Sequence, residues 1–216
     1  MAKSIAVLGL GKYGMSLVGA LYEMGADVLA VDNNEANGKE IASRCTAAVC
    51  ADLSVEDNLL KLGLNEMDTV VVAMGESLEA SIMSVVVAKE MGVPAIIAKS
   101  SSVRMSSILR KVGASKVIMP EEYAGARSAA MLLSDTVLDY FQVGGHLGMV
   151  EMEPLDEWVG KTLIELNMRS KYKTIVVAQK DGDNDWIPID PEQPLKEKTR
   201  LLAVIDRKDI GYLGNK

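Results

Sequence analysis

The sequence has 216 residues, of which 49% are hydrophobic and 25% charged, as is ordinary for a folded protein in water. Its formal net charge of −7 argues against a nucleic-acid partner or an anionic membrane surface, because both attract basic proteins. No signal segment opens the chain, no apolar run reaches the roughly 18 residues of a membrane span, and Cys45 and Cys50 lack metal-site spacing. We therefore expect a soluble cytosolic protein with reduced thiols.

The first 120 residues alternate short aliphatic runs with helical stretches. The runs predicted to be strands are SIAVLGL, DVLAVD, AAVCAD, TVVVAM, AIIAKS and KVIMPE. Most of the helical stretches between them end at a glycine, the residue expected just after a helix C-terminus. Apolar strands that are each followed by a helix predict a parallel, doubly wound sheet. We therefore predict a Rossmann-type α/β nucleotide-binding domain over residues 1–120.

The pattern changes after residue 120. The stretch AGARSAAMLLSDTVLDYFQ predicts one or two amphipathic crossover helices within 121–143, and the glycines of Val143–Gly148 suggest a hinge. Over residues 144–216, the runs MVEMEP, KTIVVAQ, WIPI and RLLAVID predict strands, and VGKTLIELNMR predicts a helix. This order predicts a small α+β domain of about 65–70 residues, whose core is marginal alone, so we expect it to pair with a second copy.

The turn after the first predicted strand has the spacing G-x-G-x-x-G. Gly9 permits a tight turn, Gly11 lets the backbone approach a pyrophosphate, and Gly14 lets the following helix pack on the strand. Asp32 ends the second strand, where a carboxylate can bind ribose hydroxyls and would repel a 2′-phosphate. Together these features predict a nucleotide site; a degenerate Rossmann fold that binds nothing is the alternative.

Lys12 lies inside this glycine turn and bears on the choice of ligand. Backbone amides suffice for the two phosphates of a dinucleotide, whereas an added lysine suits a more highly charged ligand such as ATP or ADP. A solvated surface lysine is the alternative. Asp52, at the end of the third strand, would contact adenine or ribose, or cap the helix that starts at Val55. His146 is the only histidine and no large substrate domain follows, so binding without turnover is favoured.

Several long segments occur in an order and at a spacing typical of one family. They are AVLGLGKYGMSL, VLAVDNNE, ADLSVEDNLLKLG, VVVAMGESLEASI, KEMGVPAIIAKS, ILRKVGASKVIMPEE and GKTLIELNMRSKY. These segments span nearly the whole chain. By them the sequence resembles the bacterial RCK (regulator of potassium conductance) proteins of the KtrA/TrkA-like type, the cytosolic regulatory subunits of Ktr and Trk potassium transporters.

The resemblance implies an N-terminal Rossmann domain that assembles into an octameric ring beneath a membrane-embedded transporter, and a C-terminal TrkA-C-like domain. ATP and ADP would compete for the glycine turn and shift the ring between two conformations. An arginine usually stands at the position of Lys12 and reaches nucleotide phosphates of a neighbouring subunit; lysine keeps the charge without the bidentate geometry. Glu121 matches a glutamate that coordinates a cation, such as Mg²⁺, Ca²⁺ or Na⁺, beside the nucleotide at the dimer interface, and a first-turn helix acid is the alternative.

The complete predicted nucleotide site lies along the carboxyl edge of the sheet. It consists of Gly9, Gly11, Lys12, Tyr13, Gly14, Asp32, Asn33, Asp52, Leu53, Ala73, Gly75 and Lys99. In the C-terminal domain, the resemblance implies that Arg169 could bind a phosphate of cyclic di-AMP, and a surface arginine is the alternative. An NAD(H)-binding redox sensor or small NAD-dependent enzyme is the competing interpretation, because the glycines and Asp32 would serve NAD(H) equally well.

Overall fold

The aliphatic runs of the first 120 residues form one parallel sheet in the computed structural model, which describes residues 2–75, 77–182 and 184–213. The chain divides into two units, residues 1–120 and 121–216. The strands of the first unit are β1 (Ser4–Leu8), β2 (Asp27–Asp32), β3 (Ala47–Cys50), β4 (Thr69–Val72), β5 (Ala95–Lys99) and β6 (Lys116–Ile118). They lie in the order β3-β2-β1-β4-β5-β6, and each neighbouring pair is parallel. This order confirms the predicted Rossmann-type α/β fold.

Helices cover both faces of this sheet. They are α1 (Lys12–Glu23), α2 (Glu35–Ile41), α3 (Glu56–Leu60), α4 (Leu78–Glu90) and α5 (Val103–Val112), with 3-10 turns at Ala42–Arg44 and Leu64–Glu66. Successive side chains of β1 point to opposite faces, so Leu8 joins a buried core with Val85 of α4, whereas Val7 joins one with Val18 of α1. The carboxyl ends of the strands remain at one edge of the sheet, where the connections to the helices begin.

The second unit is built on an antiparallel sheet. Its elements are α6 (Pro120–Leu133), β7 (Val137–Gly144), β8 (Leu147–Met152), α7 (Leu163–Leu166), α8 (Met168–Lys171), β9 (Thr174–Asp181), β10 (Ile187–Pro188) and β11 (Thr199–Asp206), with 3-10 turns at Asp156–Trp158 and Arg207–Leu213. The strand order is β10-β9-β11-β8-β7. Alternate residues of β11 are buried, and Leu201 and Ile205 share a core with Trp158. The predicted α+β character of this part is thereby confirmed; residues 214–216 at its end lie outside the described residues.

The segment 121–143 differs from its prediction as crossover helices. Helix α6 ends at Leu133, and the residues from Val137 onward form the edge strand β7. The run VLDYFQV contains β-branched and aromatic residues and pairs with β8, from Val137 opposite Met152 to Gly144 opposite Leu147. Pairing with β8 therefore determines the structure of this segment, although the apolar spacing indicated a helix.

The predicted hinge at Val143–Gly148 is also wrong, because this segment is the turn of the β7–β8 hairpin, inside the second unit. The expected domain boundary between residues 143 and 144 accordingly falls within a strand. Gly145 has a φ of 56°, in the left-handed region that hairpin turns require. Gly148 has a packing role, because a Cβ there would lie 2.2 Å from Cε2 of the buried Tyr140.

Two charged side chains connect α6 to β7. The guanidinium of Arg127 donates through Nε to Oδ1 of Asp139 at 2.5 Å and through Nη2 to Oδ2 at 2.8 Å. Ala126 and Ala130 of the same helix pack in the core of the second unit. Helix α6 is thus fastened to this unit by an apolar face and a bidentate ion pair. No helix among the described residues is long and apolar enough to cross a membrane.

Candidate functional site

The glycine turn connects β1 to α1 at the carboxyl edge of the parallel sheet. Gly9 has a φ of 98°, which favours glycine, and a Cβ at Gly14 would lie 2.0 Å from the carbonyl oxygen of Gly9. A Cβ at Gly11, by contrast, would meet no described atom within 4 Å. Gly14 therefore allows α1 to begin close to β1, and Gly11 leaves the backbone open to an approaching group, as in a phosphate-binding turn.

Helix α1 begins without a side-chain cap among the described residues. Gly11 is its N-cap, and the first helical hydrogen bond runs from the N–H of Met15 to the carbonyl oxygen of Gly11 at 2.9 Å. Backbone amides of the first turn are consequently available to an anion, which the helix dipole also favours. Lys12 is exposed at the first helical position and adds a positive charge beside them.

Asp32 links this turn to the end of β2. Its Oδ2 accepts a hydrogen bond from the backbone N–H of Leu10 at 2.6 Å. Its Oδ1 accepts from the backbone N–H of Asn34 at 2.8 Å and from Nδ2 of Asn37 at 3.2 Å. The half-buried carboxylate therefore has a structural task in addition to the ribose contact predicted for it.

Sequence reasoning missed Asn37, which lies in α2 and is half-buried beside Asp32. The signal that could have found it is a polar side chain in the helix directly after a strand that ends in a carboxylate. The identity of its partner, however, depends on how the chain turns between β2 and α2.

Three other predicted residues come together near the glycine turn. The Nζ of Lys99, at the end of β5, lies 5.8 Å from the centroid of the Tyr13 ring in α1. A Cβ at Gly75 would lie 3.4 Å from the same Nζ and 3.6 Å from Cε. Glycine at position 75 thus leaves room for the lysine side chain, and Lys99 brings a second positive charge to this edge of the sheet.

Asp52 closes a local turn after β3. Its Oδ1 accepts from the hydroxyl of Ser54 at 2.6 Å and from the Ser54 amide at 2.9 Å. These two hydrogen bonds hold the pKa of Asp52 below its ordinary value, because they favour the charged carboxylate. The helix expected to start at Val55 begins at Glu56, with Val55 as N-cap, so Asp52 does not cap it.

Leu53 and Ala73 are buried, with exposed fractions of 4% and 5%. They belong to the cores on the two faces of the sheet, so their side chains form walls beneath the carboxyl edge. Asn33 is exposed, and its carbonyl oxygen accepts a hydrogen bond from Sγ of Cys50 at 3.5 Å.

The two cysteines have different environments. Cys50 is exposed and stands opposite Asp32 in the β2–β3 register, at the carboxyl edge of the sheet. Cys45 is buried, and burial raises the pKa of its thiol. The accessible thiol is therefore the one beside the residues predicted to bind ribose.

Two predicted site residues belong to the second unit. Glu121 is exposed in the first turn of α6, and Arg169 is exposed in α8. Within residues 2–75, 77–182 and 184–213, no three or more His, Cys, Asp or Glu side chains are grouped so that they could hold a metal ion. A carboxylate oxygen, such as those of Glu121, is a suitable ligand for Mg²⁺, Ca²⁺ or Na⁺.

The Rossmann strand order, the phosphate-type glycine turn and the small α+β unit define a two-domain protein with a nucleotide-binding fold. The TrkA-N domain family matches residues 5–120 and the TrkA-C domain family matches residues 148–216. The chain is 34% identical over 213 residues to Ktr system potassium uptake protein A of Bacillus subtilis (strain 168), covering 99% of this chain and 96% of the relative. It is 37% identical over 210 residues to Ktr system potassium uptake protein C of the same organism, covering 97% and 95%. The chain therefore belongs to the KtrA/TrkA-like family of RCK proteins.

Solved structures share the fold. The GsuK RCK domain aligns with a TM-score of 0.65 at 16% identity, covering 100% of this chain and 48% of that one. A structure of the GsuK channel bound to NAD aligns with a TM-score of 0.61 at 16% identity, covering 99% and 39%. The chain thus spans less than half of either GsuK chain, and the likeness establishes the fold alone.

Proposed function

We propose that this chain is the cytoplasmic regulatory subunit of a bacterial Ktr-type potassium uptake system, held at the inner face of the membrane by its transporter partner. The observation that carries the proposal is the glycine turn, in which Gly14 packs against Gly9 while the backbone at Gly11 stays open. It occurs in a chain that matches two Ktr system potassium uptake proteins over 95% or more of their length.

ATP and ADP are the ligands that the charges of this edge favour. Lys12 and Lys99 supply two ammonium groups beside backbone amides that already suit a pyrophosphate. A nucleotide can bias an assembly only if it binds one state more tightly, and a coupling free energy of about 1–3 kcal/mol is typical. In our proposal, exchange of ATP for ADP shifts the conformation of an octameric ring and so controls transport without any turnover of the nucleotide.

A cation belongs to the same proposal. Glu121 would supply one oxygen ligand to Mg²⁺, Ca²⁺ or Na⁺, with phosphate oxygens as further ligands. Such a cation would reduce the repulsion between the carboxylate and the phosphates, so nucleotide affinity should rise with divalent cation. Glu121→Gln should remove this dependence, because it keeps the shape of the side chain and removes its charge.

Calorimetric titration of the full chain with ATP, ADP, NAD⁺ and NADH, each with and without Mg²⁺ or Ca²⁺, tests these assignments. Binding of ATP or ADP that cation strengthens in the parent protein, but not in Glu121→Gln, would support the proposal. Glu122→Gln, one residue further along α6, is the matched control for loss of charge. Binding of none of the four nucleotides would contradict it.

An NAD(H)-binding redox sensor or a small NAD-dependent enzyme is the second candidate. The observation that favours it is the glycine turn with Asp32, which suits the pyrophosphate and ribose of NAD as well as those of ADP. A solved structure of the GsuK channel, which shares the fold, is bound to NAD. Tight NADH binding with no heat from ATP or ADP would establish this alternative.

Cyclic di-AMP is a proposed ligand of the C-terminal unit. Arg169 is exposed in α8, where its guanidinium is accessible to a phosphate, and planar guanidinium groups bind phosphates bidentately. Thermal unfolding of the full chain with cyclic di-AMP would show a raised Tm that Arg169→Ala abolishes. An unchanged Tm in the parent protein would remove this ligand from the proposal.

A further inference from the structure

The carboxylate of Asp32 has little hydrogen-bonding capacity left for a ligand. Its two oxygens offer about four lone-pair positions. Oδ1 already accepts from the Asn34 amide and from the Asn37 side chain, and Oδ2 accepts from the Leu10 amide. One position on Oδ2 therefore remains, so Asp32 can accept a hydrogen bond from one hydroxyl but not from both hydroxyls of a ribose.

Asn37 stands directly beside this carboxylate. Its Nδ2 donates to Oδ1 of Asp32 at 3.2 Å, which orients the amide. Within the part of the chain that the structure describes, no hydrogen bond to the carbonyl oxygen of this amide occurs, and the side chain is only half-buried. The amide thus offers an acceptor and a second N–H of Nδ2 beside Oδ1 of Asp32, while the remaining position on the carboxylate is on Oδ2.

We propose that Asn37 is a second ribose-recognition residue, which binds one hydroxyl of an adenosine ribose while Asp32 binds the other. A cis-diol presents two donors, and the pair Asp32–Asn37 presents two acceptors, Oδ2 of Asp32 and the amide oxygen of Asn37, on either side of the hydrogen bond that joins the two side chains. The arrangement also disfavours a 2′-phosphate, because an acceptor-only carboxylate would face an anion. This inference rests on the proposed nucleotide-binding function and adds a specificity-determining residue to it.

Titration of the full chain with ADP, 2′-deoxy-ADP and 3′-deoxy-ADP tests the inference. In the parent protein, loss of the hydroxyl that Asn37 binds should weaken binding by about fivefold, the effect of one neutral hydrogen bond, and loss of the hydroxyl that the Asp32 carboxylate binds by about tenfold or more. In Asn37→Ala, ADP should lose about fivefold, one deoxy analogue should bind as it does to the parent, and the other should lose affinity as ADP does. The analogue that is insensitive to the substitution identifies the hydroxyl that Asn37 binds.

Asn34→Ala is the matched control. Asn34 is the N-cap of α2, where its side chain accepts from the amide of Ala36, and the substitution removes a stabilising contact of the same helix. It keeps the backbone amide that donates to Asp32. We expect Asn34→Ala to lower Tm while leaving the relative affinities of the three ligands unchanged.

The outcomes separate this inference from the proposed function. If Asn37→Ala weakens all three ligands equally, or none of them, the ribose role of Asn37 is overturned while nucleotide binding stands. If the parent protein binds neither ADP nor its deoxy analogues, nor the other nucleotides titrated above, the proposed function itself fails.

Discussion

The carboxylate of Asp32 accepts a hydrogen bond from the backbone N–H of Leu10 at 2.6 Å, across 22 residues of sequence. One side chain therefore holds the glycine turn against the end of β2. Conformation of the turn and chemistry of the ribose edge depend on the same residue, so its replacement should affect both.

Asp32→Ala should consequently lower stability as well as nucleotide affinity. Loss of a charged acceptor leaves the Leu10 and Asn34 amides without it, which costs about 1–3 kcal/mol in the free energy of unfolding. Urea unfolding and calorimetric titration measure the two effects. Asp27→Ala, at the exposed start of the same strand, should change neither. If Asp32→Ala did not change the free energy of unfolding, Asp32 would not hold the glycine turn against β2.

Gly11 and Gly14 should respond differently to alanine. Gly11→Ala places a methyl group in open space, so Tm should be preserved while nucleotide affinity falls, because the methyl group obstructs the phosphates. Gly14→Ala drives Cβ into the carbonyl oxygen of Gly9, so both Tm and affinity should fall. Thermal unfolding with and without ADP distinguishes the two variants. If Gly11→Ala and Gly14→Ala had equal Tm values, the turn would have room for a methyl group at position 14.

Lys12 should contribute more to ATP than to ADP binding. In the proposed function its ammonium group interacts with the phosphates, the most highly charged part of the nucleotide. Lys12→Ala removes one charge-assisted hydrogen bond and should therefore lower the affinity by about tenfold. Lys12→Arg keeps the charge and should retain ATP binding. Titrations at low and high salt should show a smaller effect at high salt. If the parent, Lys12→Ala and Lys12→Arg proteins had the same ATP-to-ADP affinity ratio, Lys12 would be a solvated side chain that does not interact with the phosphates.

Asp68 should make the N-terminal unit sensitive to acid. The amide and hydroxyl of Ser4 donate to Oδ2 of Asp68 at 2.8 and 3.1 Å, and these bonds lower the pKa of the carboxyl. A depressed pKa contributes stability above the ordinary Asp value of about 3.9, and this contribution is lost as pH falls through the folded-state pKa. Asp68→Asn should therefore be less stable than the parent at neutral pH, with a smaller difference near pH 3.

Urea unfolding of both proteins at the two pH values measures this difference. Glu66→Gln, which removes an exposed charge two residues earlier in the chain, serves as the control. A stability difference that grows toward acid pH would have the wrong sign for the hydrogen bonds described.

Gly148 should be intolerant of a side chain and Gly144 tolerant. A Cβ at Gly148 would overlap the ring of the buried Tyr140, so Gly148→Ala should lower the free energy of unfolding by about 1–3 kcal/mol. A Cβ at Gly144, in the same hairpin, meets no described atom within 4 Å, so Gly144→Ala should be nearly neutral. Chemical denaturation compares them. Equal effects of the two substitutions would show that the ring of Tyr140 does not exclude a side chain at position 148.

The parallel sheet could be predicted because each of its strands is an apolar run bounded by a helix. The segment after Leu133 could not, because VLDYFQV has apolar residues at spacings that fit a helix or a strand. Two buried hydroxyls connect the start of this segment to a distant part of the chain: Oγ of Ser134 and Oγ1 of Thr136 are 3.0 Å apart, and Thr136 donates to the carbonyl oxygen of Leu213 at 2.7 Å. That contact spans 77 residues and leaves no trace in local sequence.

The candidate site was predictable to a similar extent. The glycine spacing indicated the turn and the position of Asp32, since both follow from local sequence. The engagement of Asp32 by Leu10 and Asn37 depends on how two separate βα connections approach each other. For the same reason, the sequence places Lys99 and Tyr13 at the same edge of the sheet but does not predict that their side chains approach each other.

The unequal environments of the two cysteines give the protein a natural labelling position. A maleimide fluorophore should attach to Cys50, which is exposed, and leave Cys45 unmodified, because that thiol is buried and its pKa is raised. The dye would stand opposite Asp32 in the β2–β3 register, so no engineered cysteine is needed to place a reporter at this edge of the sheet. The fluorescence of the dye, or the rate at which it reacts with Cys50, would then report ligand binding at that edge in the unsubstituted protein.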